Sequence, residues 1–212
     1  IRRISWVDVN TGQTFALYAG VLARYLEGAG IVVYDDGDRL FSVALASESD
    51  SEVILSHKSH QVSTMMVVSE DTVLFETSES GDRRIHSYDA SSGKLESLDR
   101  LSGICRLDQA VWVHDLEQMA CRERSGQTAT ARHVLTNLDG DVSGALSLPE
   151  DKSFVLLTYL RGQDALILKE RWNNMIDGQE RSAIWVYNLL SEESHRLEIK
   201  RGLGSSVVYS RY

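Results

Sequence analysis

The closest histidine pair in the chain is His57 and His60, which could contribute two imidazoles to a metal site. Such a site holds a divalent ion through three or four ligands, often including a carboxylate or a thiolate. No Cys, Asp or Glu near the pair completes a recognised ligand spacing. We therefore expect a polar loop at His57–His60, and the sequence predicts neither a metal ion nor a cofactor.

His114 and Asp115 could act together as a base and its carboxylate. His114 ends an apolar run typical of a strand, and adjacent residues of a strand point to opposite faces of the sheet. We therefore expect no catalytic dyad at this position. The other histidines near strands are expected to face solvent or to form hydrogen bonds within sheets: His86, His133 and His195.

Cys105 and Cys121 are the only cysteines of the 212-residue chain. The apolar pattern places Cys105 in the first strand of a unit and Cys121 in or after its second hairpin, with at least one strand between them. Strands lie ~4.8 Å apart, so the two Cα atoms would be about 10 Å apart, beyond the ~7 Å limit of a disulfide. The sequence predicts two free, buried thiols, which favours a reducing compartment such as the cytoplasm.

Trp172 is the aromatic residue best suited to contact a partner. It lies in the longest polar insertion of the chain, residues 170–181. A large aromatic side chain in a loop on a rigid scaffold is a common contact residue. We expect Trp172, Asn173 and Asn174 to bind a partner, with local packing of Trp172 as the alternative. The other tryptophans lie in strand runs and are expected in the core: Trp6, Trp112 and Trp185.

The elements that would position these residues are short strands. Between Thr64 and Leu98, three apolar runs and a fourth amphipathic piece are separated by polar turns; the runs are Met65–Val68, Val73–Phe75 and Ile85–Tyr88. Short apolar runs bounded by Gly, Asp and Ser turns are typical of an antiparallel meander. This stretch therefore predicts one four-stranded sheet.

The same layout recurs along the chain. A strand pair at residues 4–17 precedes further units at residues 22–55, 104–135 and 145–188, and the unit after the Thr64–Leu98 sheet is expected to open with a strand at Ile104–Leu107. The turns after third strands fall at intervals of 36, 43, 48 and 51 residues, near Asn10, Ala46, Asp89, Asn137 and Asn188. This spacing is typical of propeller blades, and no segment shows convincing helical periodicity. The sequence predicts an all-β fold, a β-propeller of about five four-stranded antiparallel blades, as a single domain over residues 1–212.

Four turns carry a family resemblance. Val9–Gln13 and Tyr88–Lys94 have similar sequences after third strands, and the acidic turns Ser69–Asp71 and Leu148–Asp151 are interpreted as preceding second strands. These motifs resemble the blade repeats of TolB-type and YVTN-type propellers, and those of the propeller domains of prolyl-oligopeptidase-like peptidases. The equivalent places in those families usually read Ser-Pro-Asp-Gly and Asp-x-x-Thr-Gly-Lys, and of the first signature only Pro149 is present here. The resemblance covers nearly the whole chain and implies a propeller. It implies no particular function, because such repeats occur in proteins with unrelated functions.

The two ends of the chain could complete one blade together. The chain starts with the second half of a blade and ends with a single strand, Ser206–Tyr212. Pairing of that strand beside Ile4–Val9 would leave no sheet edge open, and we expect this closure. The alternative is that the chain is a part of a larger propeller.

The first residues contain no Met, and no apolar run follows them. We therefore expect no signal peptide and a processed or excised chain.

Charge and composition narrow the class of partner. The formal net charge of −9 disfavours nucleic acid, which requires a basic surface, and an anionic membrane surface. No window reaches the ~20 apolar residues of a membrane-spanning helix. These features favour a non-enzymatic propeller scaffold that binds a protein or peptide through loops on one face.

Two alternatives to the scaffold stay open. A carbohydrate-active enzyme, a glycosidase or sugar lyase, would need two or three carboxylates about 5–9.5 Å apart at the mouth of the central channel. The candidates by position are Asp35, Asp36, Asp71 and Asp151. The chain could also be the accessory propeller of a larger protein whose catalytic part lies elsewhere.

Overall fold

The structure of the chain is a computed structural model. It describes residues 3–7, 14–19, 22–44, 51–56, 61–79, 81–124, 132–173 and 180–197. For the ranges 3–7 and 14–19 and for residues 51, 79, 172, 173, 180 and 181 it describes the backbone. In these ranges eighteen strands form five antiparallel sheets.

The strands follow one another in chain order. Sheet one pairs β1 (Arg3–Val7) with β2 (Thr14–Ala19). Sheet two contains β3 (Leu22–Leu26), β4 (Ile31–Asp35), β5 (Arg39–Ala44) and β6 (Ser51–Ser56). Sheet three contains β7 (Gln61–Val67), β8 (Thr72–Glu79), β9 (Asp82–Asp89) and β10 (Lys94–Ser97). Sheet four contains β11 (Ala110–Val113), β12 (Gln118–Arg122), β13 (His133–Thr136) and β14 (Val142–Ala145). Sheet five contains β15 (Ser153–Leu160), β16 (Ala165–Asn173), β17 (Glu180–Asn188) and β18 (Ser194–Arg196).

Sheets two to five are simple meanders in which each strand pairs with the next along the chain. The first strands of neighbouring sheets lie against one another, β3 with β7 and β11 with β15. Four such four-stranded antiparallel sheets confirm the predicted all-β, propeller-type fold. The expected closing strand, Ser206–Tyr212, lies outside the described residues.

The core consists of the spaces between consecutive sheets. Side chains alternate between the two faces of a strand, so in β8 Val73 and Phe75 pack against sheet two while Leu74 packs toward sheet four. Similar clusters lie between sheets two and three, three and four, and four and five. Full burial of one such Leu or Phe contributes about 1.5–3 kcal/mol. Trp112 belongs to the cluster between sheets three and four, as expected, and the partly buried Trp185 packs against the next cluster.

The ends of the sheets form two faces. The first-turn face carries the turns between first and second strands, residues 27–30, 68–71, 114–117 and 161–164. Neighbouring turns on this face touch, since the Gly28 N–H donates to the Glu70 carbonyl at 3.0 Å. The connector face is the opposite end, with the turns between second and third strands and the segments that join sheets, residues 98–109 and 146–152. The acidic turn Leu148–Asp151 therefore precedes a first strand, not the expected second strand.

The segment leading into sheet four is helical, so the strand expected at Ile104–Leu107 was wrong. It contains α1 (Asp99–Ile104) and a 3-10 turn, Leu107–Gln109. Ser102 fixes α1 against sheet three, because its Oγ accepts the Ile85 N–H at 2.8 Å and donates to the Leu98 carbonyl at 2.7 Å. No helix in the described ranges is long and apolar enough to cross a membrane.

Cys105 and Cys121 form a disulfide, so the expectation of two free thiols was wrong. Cys105 follows α1 outside the sheet, and Cys121 lies in β12, the second strand of sheet four. The connector folds back over this strand and brings the two Cα atoms to 5.7 Å, within the reach of a disulfide. The predicted preference for a reducing compartment thereby loses its basis.

Candidate functional site

The four carboxylates considered for carbohydrate chemistry do not form one cluster. Asp35 is 2% exposed, and its Oδ1 accepts the Gly37 N–H at 3.0 Å in the β4–β5 turn. Asp36 accepts the N–H groups of Asp38 and Arg39 at 2.9 and 2.8 Å. Both lie on the connector face of sheet two, Asp151 precedes sheet five, and Asp71 lies on the first-turn face. A sheet is about 15 Å long between its two faces, which exceeds the spacing of a glycosidase pair.

His114 and Asp115 lie in a 3-10 turn, His114–Leu116, rather than in the expected strand. Asp115 accepts hydrogen bonds from the Tyr159 hydroxyl and, at 3.4 Å, from the Gly162 N–H. The Tyr159 hydroxyl also lies 3.4 Å from Asp164 Oδ1. These bonds join the first turns of sheets four and five. The hydrogen bonds described for Asp115 therefore come from Tyr159 and Gly162.

The protonation states of this cluster fit a structural role. Burial and the bond to Asp115 raise the pKa of Tyr159, and that bond lowers the pKa of Asp115. Burial and the charge of Arg161 lower the pKa of His114, with Asp115 acting in the opposite direction. At neutral pH the cluster therefore holds a charged carboxylate, a protonated phenol and a neutral imidazole. A phenol kept protonated between two carboxylates is a poor nucleophile.

Glu76 is a buried carboxylate that the sequence analysis did not single out. It is 1% exposed in β8, and it accepts the Leu107 N–H and an Arg83 N–H, both at 2.8 Å. The Ser63 hydroxyl lies 3.3 Å from the same carboxylate. Glu76 thus fixes the connector of sheet four onto sheet three. The sequence did contain a signal for this site, since Glu76 directly follows the apolar run Val73-Leu-Phe75 of a strand. A carboxylate at such a position is buried and therefore requires hydrogen-bond partners.

Glu170 has an equivalent role in sheet five. Its carboxylate accepts hydrogen bonds from Lys152 Nζ and Trp185 Nε1, both at 2.7 Å. Burial alone would raise the pKa of Glu170, but the bonds from Lys152 and Trp185 outweigh it and lower the pKa.

The described residues contain no group of three His, Cys, Asp or Glu side chains that could hold a metal ion. His57 and His60 lie outside the described residues.

Trp172 and Asn173 lie in β16, so the loop expected at residues 170–181 is in part a hairpin. The β16–β17 ladder continues to Trp172 paired with Arg181 and Asn173 paired with Glu180. The β15–β16 ladder ends at Ser153 paired with Arg171, two residues earlier. Residues 172–173 and 180–181 therefore form a two-stranded ribbon that continues past the β15 edge on the connector face. Asn174 lies outside the described residues.

A cleft of about 320 Å³ lies between sheets four and five beside this ribbon. One wall carries Arg122 and His133, a cross-strand pair of β12 and β13. The other wall carries Ser153 and Arg171, a cross-strand pair of β15 and β16. His133 is 4% exposed, and burial together with the charge of Arg122 lowers its pKa to about 4, although a bond to the Phe154 backbone acts in the opposite direction.

No protein-family model and no curated protein matches the chain. Solved structures do match. An oligogalacturonate lyase in complex with manganese has a TM-score of 0.63 and 14% identity, over 91% of this chain and 58% of the lyase. TolB from Acinetobacter baumannii has a TM-score of 0.57 and 15% identity, over 92% of this chain and 48% of TolB. The tricorn protease has a TM-score of 0.58 and 11% identity, over 94% of this chain and 20% of the protease.

These similarities show the propeller-type fold, and the TolB-type repeat resemblance is confirmed at the level of fold. The chain spans about half the length of the lyase and of TolB, 58% and 48%. The neighbours have different functions by name, a lyase, TolB and a peptidase. Fold alone therefore leaves the function open.

Proposed function

We propose that the chain is a non-enzymatic propeller scaffold that binds a protein or peptide partner on its connector face. In this proposal the contact residues are Trp172, Asn173 and Asn174, the three residues that the sequence singled out. The observation that supports the proposal is the two-stranded ribbon, residues 172–173 and 180–181, which continues past the β15 edge of sheet five.

Two physical properties suit the ribbon to binding. Its backbone is already ordered by cross-strand hydrogen bonds, so less conformational entropy is lost when a partner binds. In addition, β16 has no β15 partner beyond Arg171 in the described part of the chain. An extended peptide can pair with such an edge, with affinity supplied by the backbone and specificity by side chains.

No observation in the described residues favours the carbohydrate-active alternative. The candidate carboxylates are divided between two faces and three sheets, and Asp35 and Asp36 are engaged in their own turn. In the accessory-propeller alternative, the chain belongs to a larger protein whose catalytic part lies elsewhere. A partner-binding connector face is compatible with it, and the same experiment applies.

The proposal is tested by screening the protein against a bead-bound synthetic library of random 12-residue peptides with blocked termini. We expect the wild type to select a peptide family with a common sequence. Trp172→Ala should weaken the binding of selected peptides about tenfold or more, because a central aromatic contact is commonly worth about 2 kcal/mol. Affinities are measured by fluorescence anisotropy with soluble copies of the peptides.

Leu190→Ala is the matched control. Leu190 is 77% exposed in the β17–β18 turn of the same sheet, at the opposite end from the ribbon. It should leave the affinity unchanged. Failure of the wild type to enrich any peptide family, or equal losses in the two variants, would contradict the proposal.

A further inference from the structure

The disulfide of Cys105 and Cys121 is enclosed in the core between sheets three and four. Cys105 is 1% exposed and Cys121 is 0% exposed. Both belong to the apolar cluster that also contains Leu101, Trp112 and Met119. A disulfide is reduced when a thiolate attacks one of its sulfurs, so the attacking group must reach that sulfur. With exposed fractions this small, a reductant in solution does not reach either sulfur of the folded protein.

Hydrogen bonds hold the segment around Cys105 on both sides of the disulfide. Before Cys105, the Ile104 carbonyl accepts the Arg124 N–H at 2.8 Å. After Cys105, the Leu107 N–H donates to the buried Glu76 carboxylate at 2.8 Å. Exposure of the sulfurs therefore requires these contacts to break together with the apolar packing, which is a local unfolding event and not a side-chain movement.

The disulfide also has no third thiol in this chain with which to exchange. Cys105 and Cys121 are its only cysteines. A redox-sensing cysteine is accessible to solvent and often lies next to a resolving cysteine, and a catalytic disulfide needs an accessible thiolate for each cycle. The burial and the cysteine count are instead those of a structural disulfide.

We propose that the protein acts in an oxidising compartment outside the cytosol, and that a protein disulfide donor joins Cys105 to Cys121 there during folding. The cytosol keeps thiols reduced through glutathione and thioredoxin, whereas structural disulfides form and persist in oxidising compartments. This proposal concerns the compartment and the formation of the disulfide, and it does not depend on the proposed function.

The disulfide forms by two thiol–disulfide exchanges. The thiolate of one cysteine attacks the disulfide of the donor, forms a mixed disulfide and releases one donor sulfur as a thiolate. The thiolate of the other cysteine then attacks the chain's own sulfur in the mixed disulfide and releases the second donor sulfur. The chain loses two protons and two electrons, and the donor is reduced from a disulfide to a dithiol.

Burial determines when the donor acts. A donor protein cannot reach sulfurs that are 0–1% exposed, so the exchanges precede the docking of the connector, residues 98–109. Docking places Ser102 Oγ on the Ile85 N–H at 2.8 Å and the Leu107 N–H on Glu76. These contacts enclose the disulfide, which therefore persists as long as the protein stays folded.

The first test determines the redox state and the location of the protein in cells of the organism that encodes it. The cells are quenched with acid, and the denatured protein is alkylated with maleimide-linked polyethylene glycol and detected on a gel with an antibody. We expect no adduct before reduction, two adducts after reduction, and separation of the protein from a cytosolic marker enzyme in cell fractionation. Two adducts before reduction, or co-fractionation with the cytosolic marker, would overturn the proposal.

The second test exposes the purified protein to millimolar reduced glutathione at neutral pH. We expect the disulfide of the folded protein to stay intact and that of the urea-unfolded protein to be reduced, because only unfolding exposes the sulfurs. Equal rates of reduction in the folded and unfolded protein would refute the enclosed disulfide.

Leu190→Cys is the matched control for access of the reagents. Leu190 is 77% exposed, so a thiol at this position should take up one maleimide adduct in the folded, unreduced protein. The wild type treated in the same way should take up none, and an adduct on the folded wild type would show that Cys105 or Cys121 is a free, accessible thiol. None of these outcomes bears on the proposed binding of a peptide at the ribbon.

Discussion

At the residue scale, the disulfide of Cys105 and Cys121 joins the connector before sheet four to the second strand of that sheet. It spans 16 residues of sequence, a loop whose closure in the unfolded chain corresponds to about 3 kcal/mol of stability. We expect the variant Cys105→Ala/Cys121→Ala to lose about that amount in urea unfolding. Alkylation of the denatured, unreduced protein should add no label, and two labels should appear after reduction. Two labels before reduction would contradict the disulfide.

His133 gives the protein a pH dependence of defined sign. Its pKa is about 4 in the folded protein and 6.5 as the ordinary value, so the unfolded chain binds the proton more readily between these values. The free energy of unfolding should therefore fall as the pH falls from 6.5 toward 4. When the pH is lowered from 7 to 5, protonation of this one group should reduce the free energy of unfolding by about 2 kcal/mol.

His133→Asn separates this contribution from other titrating groups. The loss of stability between pH 7 and pH 5, measured by urea unfolding, should be about 2 kcal/mol smaller in the variant than in the wild type. An identical pH dependence in the two proteins would show that His133 titrates normally.

The candidate site residues were predictable to different degrees. Trp172 and its neighbours were singled out because the residues on both sides of them are polar, and their role as contact residues stays a prediction. The pairing of Cys105 with Cys121 and of Asp115 with Tyr159 could not be predicted, since each joins segments whose approach depends on how connectors fold between sheets. Arg122 and Arg171 are in different sheets, and nothing in their local sequence indicates a common cleft.

At the element scale, the turn before β14 approaches α1 closely. Gly140 has φ +81°, and a Cβ there would lie 2.8 Å from Arg100 Cβ and 3.0 Å from the Leu101 N. We expect Gly140→Ala to lower the free energy of unfolding by about 1–2 kcal/mol from the left-handed backbone, with the steric contact adding to it.

Gly103→Ala is the control for this substitution. Gly103 lies in α1, and a Cβ there meets no atom within 4 Å. It should leave the stability unchanged or raise it by up to about 1 kcal/mol, because alanine favours a helix. Urea unfolding of both variants distinguishes them, and equal effects would contradict the close approach of Gly140 to α1.

The strands were predictable because turn chemistry marks their ends. Asp89 Oδ1 accepts the N–H groups of Ser91 and Ser92 at 2.9 and 3.0 Å, and Gly93 follows at φ +68°. The same residue types allowed this turn to be located from sequence. The six-residue α1 was missed, because so short a helix has no periodic pattern to distinguish it from an apolar strand.

At the scale of the whole molecule, the sheets pack face to face, and their ends form the first-turn face and the connector face. The first-turn face of sheets four and five is joined by Asp115 and Tyr159, and the connector face carries the ribbon and the arginine-lined cleft. Repeat spacing was sufficient to predict the stack of sheets, since each repeat is one unit. It does not favour one face over the other for the proposed binding, because both faces carry polar turns.

Hydrogen exchange with and without a selected peptide tests the central claim most directly, because it locates the bound partner on the whole chain. The expected result is slower exchange in residues 168–173 and 180–184 and in the first residues of β15, with no change at residues 114–117 and 161–164. Slower exchange confined to the first-turn face, with the ribbon unchanged, would contradict the account.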